Sequence, residues 1–177
     1  MSIAIPFFKR SAAPELDWNA LYADHVGRVF NFFRYRVGDE GTAEDLTSLT
    51  FEKAWKKKHQ YKGDAESFVH WVFAIARNVA NDYFRKEPSL VSLEEVVSLT
   101  TDKCVADDVD KQIEFATLVW HIRQLSERER DIITLKYGAD LTNRQIATEL
   151  SLSESNVGSI LHRTIQKLRD QLEIDDE

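Results

Sequence analysis

The residue types that perform covalent or metal chemistry occur in this chain at spacings that do not suit it. Five histidines, at positions 25, 59, 70, 121 and 162, stand singly, Cys104 is alone, and no His-x-x-x-His or Cys-x-x-Cys pair exists to build a metal site. A Gly-rich phosphate loop and a nucleophile elbow are both missing. Asp107, Asp108 and Asp110 lack the glycine and distal glutamate of a calcium loop and read as solvated acid. No cofactor, no metal and no enzymatic activity is expected, which leaves the chemistry of recognition.

Three stretches have the composition for it. Lys56, Lys57, Lys58, His59, Gln60, Tyr61, Lys62, Gly63 and Asp64 form a basic loop with one aromatic, suited to holding a single strand by charge and stacking. The same composition also describes a solvated loop with Tyr61 tucked onto the core. Next, His70, Arg77, Asn78, Asn81 and Arg85 share an arc of the following helix and offer amide and guanidinium donors for bases and phosphates, although Asp82 and Arg85 also suit a local ion pair. Finally, Leu141 to Leu172 reads as two helices and a tight corner, capped by Thr142 with Gln145 and by Ser153. Its second helix places Val157, Leu161, Thr164, Ile165, Leu168 and Leu172 on one face. Ser155, Ser159, His162 and Gln166, flanked by Arg163 and Arg169, fall on the other, the form of a helix entering a major groove, although a helical hairpin with a solvated polar face has the same pattern.

The elements that must position these groups are all helical. Asp17 caps a helix to Val37 with Trp18, Leu21, Tyr22, Val26, Val29, Phe30 and Phe33 inward and Gly38 as its stop. Thr42 with Asp45 opens a second helix to about Lys58, packing Leu46, Phe51, Ala54 and Trp55 and turning Glu44, Asp45, Ser48 and Glu52 out. Asp64 or Ser67 caps a third, whose apolar arc is Phe68, Trp71, Val72, Phe73, Ile75, Val79 and Tyr83. Pro88 ends it, and the chain turns acidic until the helical period resumes at Gln112 with Phe115, Leu118, Val119 and Ile122 inward. Ser126 and Glu129 form a capping box, and Gly138 stops the helix before the corner. The expected fold is all-α, with two small helical domains, 1–86 and 112–177, joined by a flexible acidic linker over 87–111.

The 177 residues carry a net charge of −7, unhelpful to unaided DNA binding until it is apportioned. Lys and Arg number 13 against 11 Asp and Glu over residues 1–86, 2 against 8 over 87–114, and 8 against 11 beyond. The first part is mildly basic, and help from a partner resolves the rest. A single cysteine argues for a reducing compartment, and no targeting peptide or membrane span is legible, so the cytoplasm is expected without membrane insertion.

Together the pieces LYADHVGRVFNFFRYRVGD, AEDLTSLTFEKAW, YKGDAESFVHWVFAIARNVANDYFRK and LSERERDIITLKYGADLTNRQIATELSLSESNVGSILHRTIQKL resemble the bacterial sigma factors of the extracytoplasmic-function type, over most of residues 17 to 172. The resemblance implies an initiation subunit that joins core RNA polymerase and gives it promoter choice. It assigns Asp45, Ser48, Leu49 and Glu52 to the β′ clamp and the second domain to the β flap. It assigns Lys56, Lys57, Lys58, Tyr61, Lys62, Arg77, Asn78, Asn81, Asp82 and Arg85 to the minus-ten non-template strand, with a base flipped into a pocket lined by Tyr61. Thr142, Arg144, Ser155, Asn156, Gly158, Ser159, His162, Arg163 and Lys167 fall to the minus-thirty-five duplex, and an anti-sigma partner is implied. Two departures stand out: Gly158, Ile160 and Ile165 where the family commonly has basic residues, and Ser48–Leu49 where a Gln-Glu pair often stands. Gly158 suggests a close backbone approach to DNA or to a partner, since glycine costs helix propensity. The rival readings are a free-standing helix-turn-helix regulator, which needs a dimer seam not legible here, and an all-helical adaptor.

Overall fold

The computed structural model describes residues 16–86 and 109–175, so Cys104, Asp107, Asp108 and most of the expected linker lie outside the described residues. The first helix forms where expected. The Asp17 carboxylate accepts from the amides of Asn19 and Ala20 at 3.0 and 3.2 Å, and α1 runs Trp18–Val37 to Gly38, whose φ of 82° only glycine takes readily. The second starts earlier than Thr42. Asp39 accepts from the Thr42 amide at 2.6 Å and caps α2, Glu40–Lys56, so one residue separates Gly38 from the new helix. Asp39 and Thr42 are both competent caps, and the stop at Gly38 leaves the earlier one in place. Inside α2, Thr47 and Thr50 are buried, with their hydroxyls donating to the carbonyls of Ala43 and Leu46 at 2.7 and 2.8 Å. Lys58–Gln60 is a 3₁₀ turn, after which the Asp64 carboxylate accepts from the Ser67 amide at 2.8 Å at the entry to α3, Phe68–Lys86.

The described part of the second unit starts with α4, Val109–Gln124, three residues before Gln112. Ser126 and Glu129 make the capping box of α5, Glu127–Ile133, which widens into a π-helical turn over Thr134–Gly138 instead of continuing as α-helix. Thr142 and Gln145 make the second capping box, of α6, Asn143–Leu150. Ser151, left-handed at φ 54°, turns the corner into α7, Glu154–Asp175. Among the described residues no strand occurs. The fold is all-α, with two helical units.

Periodicity located about half of the core. Leu21, Val29, Phe33, Leu46, Ala54, Phe68, Val72, Phe73, Val79, Val119, Ile122, Val157, Leu161 and Leu168 are buried. Two aromatics depart from it: Tyr22 and Trp55 are 50% and 55% exposed. They lie near the start of α1 and the end of α2, where no other described element covers them. Trp55 there stacks edge-on against Trp18 at 6.3 Å and carries the Lys58 ammonium 3.3 Å from its ring centroid.

The two units pack along α1 and α3. Gly138 lies against α1 so closely that a Cβ on it would come 2.9 Å from the Asn31 carbonyl oxygen and 3.0 Å from Phe32 Cα. Arg28 on α1 donates to the carbonyls of Ala139 and Asp140 at 2.8 and 3.1 Å, and Tyr35 meets Phe115 edge to face at 5.4 Å.

Candidate nucleic-acid interface

The loop and α3 do not present the expected donors as one surface. Lys57 and Lys62 are exposed, Lys58 lies on Trp55, and Lys56 pairs with Glu52 one turn back, so one residue assigned to DNA and one assigned to the clamp neutralise each other. Tyr61 takes the tucked position: its ring packs against Trp71 at 5.0 Å and Phe68 at 5.7 Å, and its hydroxyl donates to the Asp64 carbonyl. Burial pushes that hydroxyl's pKa up. Pocket-lining by Tyr61 therefore requires movement of the loop. Beside it, Trp18, Asn19, Tyr22, Phe51, Ala54, Trp55 and Phe68 line an open cleft of about 220 Å³.

The arc of α3 divides into two stripes. Asn78 is exposed, Asp82 half-buried and Arg85 exposed, and Asp82 accepts from Arg85 at 2.7 Å while lying 3.9 Å from Lys53, so the local ion pair is present. The other stripe faces the second unit. Arg77 donates to Asp131 at 2.9 Å and lies 3.6 Å from Glu149, Asn81 donates to Glu127 at 3.1 Å, and His70 Nδ1 lies 3.9 Å from Glu149 Oε2, beyond hydrogen-bond reach. Behind them Arg36 of α1, 1% exposed, pairs with the same Asp131. Sequence reading missed Arg28, Arg36, Asp131 and Glu149. The signals were present in phase alone: Arg36 stands one helical turn after Phe32, and Asp131 leads the apolar pair Ile132–Ile133.

Glu149 carries the largest perturbation at this seam. Its side chain is 4% exposed, and burial raises its carboxyl to about 7 against the attraction of Arg77. A folded pKa above the unfolded value means that the folded chain holds a proton the unfolded chain has released. Glu149 should therefore make stability fall as pH rises from about 4.5 to about 7, by as much as about 3 kcal/mol, with no further change above. Urea denaturation of wild type and Glu149→Gln between those pH values checks this. The wild-type-minus-variant difference should slope downward with pH, and a flat difference sinks the assignment.

On the second unit, α7 presents Ser155, Asn156, Ser159, His162, Arg163 and Lys167 to solvent while Val157, Leu161, Thr164 and Leu168 are buried and Ile165 and Leu172 half-buried. Ile160 is buried as well and belongs to the packed side. Arg144 is exposed, Lys167 lies 3.9 Å from Glu129, and the Thr142 hydroxyl accepts from the Gln145 amide at 3.2 Å, committed to its helix cap. Gly158 has no close neighbour that explains it. Among the described residues an added Cβ would meet only Asn143 Nδ2, at 3.8 Å, so no packing within them requires a glycine here. Gly158→Ala should stabilise the fold by roughly 0.5 to 1 kcal/mol. A raised melting temperature checks this, and a lowered one contradicts the open space seen around it.

On α2, Asp45, Ser48 and Glu52 are exposed with Leu49, 38% exposed, forming one outward stripe. No helix among the described residues is long and apolar enough to cross a membrane, and no cluster of metal-ligating side chains occurs among them.

Residues 21–88 match the family model Sigma-70 region 2, and residues 122–170 match Sigma-70, region 4. The ECF RNA polymerase sigma factor SigM of Bacillus subtilis is 27% identical over 150 residues, covering 84% of this chain and 91% of that protein. SigL of Mycobacterium tuberculosis (strain H37Rv) is 28% identical over 164 residues, 90% of each. BldN of Streptomyces coelicolor is 26% identical over 164 residues, 90% of this chain, which spans only 62% of that relative's length. Among solved structures, CnrH in complex with the cytosolic domain of CnrY superposes with a TM-score of 0.64 at 21% identity, covering 89% of this chain and 88% of that one, a likeness of fold. Carrying regions 2 and 4 in order on an all-helical framework, the chain belongs to the ECF sigma factors, which confer promoter-specific initiation on RNA polymerase.

Proposed function

We propose that this chain binds core RNA polymerase through α2 and the second unit and directs it to promoters by two DNA contacts, with residues 1–86 and 112–177 as the two working domains and 87–111 joining them. The observation that carries this reading is the exposed front of α7, small and polar at Ser155 and Ser159 and basic at Arg163, behind a capped helix-turn-helix corner in a chain of this family. Short side chains admit the helix to the major groove, and longer ones reach base edges and phosphates. Thr142, Arg144, Ser155, Asn156, Gly158, Ser159, His162, Arg163 and Lys167 make the minus-thirty-five contact. Lys56, Lys57, Lys58, Tyr61, Lys62, Arg77, Asn78, Asn81, Asp82 and Arg85 make the minus-ten contact, with Tyr61 released from its packed position to stack on a flipped base.

Asp45, Ser48, Leu49 and Glu52 dock on the β′ clamp, and the second unit meets the β flap. Both DNA contacts are weak alone. Holding them on one polymerase raises their effective concentration, so an acidic chain suffices. The chain works in the cytoplasm, catalyses nothing itself, needs no cofactor, and is held in check by an anti-sigma partner. That last point is supported by the fold it shares with CnrH, which was solved bound to the cytosolic domain of CnrY. Run-off transcription with purified core polymerase and genomic fragments tests the proposal. Transcripts from defined start sites are expected, and failure both to bind core and to initiate would end it.

A further inference from the structure

The outward face of α7 has a gap in it. Ser155, Gly158, Ser159 and His162 follow one another at i, i+3, i+4 and i+7, the spacing of a single helical face. Gly158 is its half-buried shoulder, and across the corner of the helix-turn-helix stands Asn143, the first residue of α6 and also half-buried. A Cβ on Gly158 would stand 3.8 Å from Asn143 Nδ2 and meet nothing else among the described residues. A side chain at 158 would thus begin against the Asn143 carboxamide, and glycine leaves that carboxamide room.

The same carboxamide is unsatisfied. Among the described residues Asn143 Oδ1 is buried and accepts no hydrogen bond. Its neighbours have settled their own polar atoms. Thr142 and Gln145 serve the capping box at 2.9, 3.1 and 3.2 Å, and on the facing helix the Ser159 hydroxyl donates to the Ser155 carbonyl at 3.0 Å. A buried acceptor left alone bears the cost of its desolvation with no bond in return, so the fold gains nothing from the polar end of Asn143. Nor does α6 need it, because the cap is Thr142 and alanine is the better helix former.

A carboxamide in this position is completed by a donor for Oδ1 and an acceptor for Nδ2 together. Phosphate supplies acceptors alone and would leave the carbonyl as it is. The major-groove edge of adenine supplies both, its N6 amino group donating and its N7 accepting, and asparagine pairs with it through two hydrogen bonds. We infer that Asn143, reaching past Gly158, reads an adenine in the minus-thirty-five duplex, so that recognition of one base pair comes from the first helix of the corner and not from α7 alone. Gly158 then has a function, giving up helix propensity for the opening through which the carboxamide reaches the groove. This inference rests on the proposed entry of α7 into that duplex.

The test is a base-preference profile. Holoenzyme assembled from core polymerase and the full chain transcribes a library built on a genomic fragment that the wild type initiates on, with the minus-thirty-five element randomised and a barcode in the transcribed region. Wild type should prefer adenine at one position by roughly five- to a hundredfold. Asn143→Ala should erase that preference and leave the rest of the profile in place, while its melting temperature stays level or rises. Asn143→Asp, isosteric and favourably charged for a helix N-terminus, should prefer cytosine at the same position, since a carboxylate accepts from the cytosine N4 amino group. Gly158→Ala should weaken the adenine preference and no other. A uniform loss across the library in Asn143→Ala, with a smaller salt slope, marks a phosphate contact and overturns the inference, and so does a profile unchanged in Asn143→Ala or in Gly158→Ala. Melting temperatures lowered in both Asn143 variants make it a structural residue and overturn the inference as well. A wild-type holoenzyme that initiates nowhere removes the proposed function and this reading with it, whereas initiation with a profile indifferent to Asn143 leaves the proposed function standing alone.

Discussion

Phe32→Ala should lower the free energy of unfolding by about 3 to 5 kcal/mol, the range for emptying a packed phenylalanine site. Phe32 is fully buried, with Phe33 and Phe73 edge to face at 5.2 and 5.8 Å and the Arg36 guanidinium 5.1 Å from its ring centroid. It also lies where the units meet, since Gly138 packs on its backbone. The cavity would open between α1 and α3, beside the Phe73 ring and the Arg36 guanidinium, while the backbone behind it is held by the turn of the other unit. Tyr22→Ala supplies the contrast. At half exposure, with Phe51 at 4.8 Å as its ring partner, it should cost no more than about 1.5 kcal/mol. Urea denaturation followed by circular dichroism measures both, and a Phe32→Ala loss no larger than that of Tyr22→Ala would show the joint to be loosely packed.

Why Phe32 was absent from the sequence-derived core, while its neighbour Phe33 was present, shows what a sequence discloses. Signals confined to four residues were legible: the Ser126–Glu129 and Thr142–Gln145 capping boxes, the Asp17 cap and the Gly38 stop are local hydrogen bonds that need no tertiary partner. One face of each helix was legible too, because burial follows a period of 3.6. A helix buried on two faces defeats that rule. Phe32 and Arg36 lie on the side of α1 that the second unit covers, and a pattern within α1 cannot announce a partner 95 residues away. For the same reason a pattern within α3 could not show that Arg77 and Asn81 also bond the second unit, on a stripe separate from Asn78. At the ends of the helices the error ran the other way: Trp55 has the phase of a core residue, yet it is 55% exposed among the described residues.

Asn78→Ala should reduce promoter opening by roughly ten- to a hundredfold, about 1 to 3 kcal/mol for an amide that reads a base through paired hydrogen bonds. The side chain suits that task. It is exposed on the stripe with Asp82 and Arg85, away from Arg77 and Asn81, which the second unit holds, and its amide can donate and accept at once. Alanine is the better helix former, so the substitution should leave α3 as stable or slightly more so, and lost opening then cannot be ascribed to lost structure. Affinity for core polymerase should stay unchanged, because the proposed docking stripe of Asp45, Ser48, Leu49 and Glu52 is on α2. Heteroduplex templates sharpen the measurement: on a promoter already melted across the minus-ten element, the defect should persist if Asn78 reads the strand and vanish if it acts only in melting. Equal loss of core binding would instead make Asn78 a structural residue and remove it from the minus-ten contact.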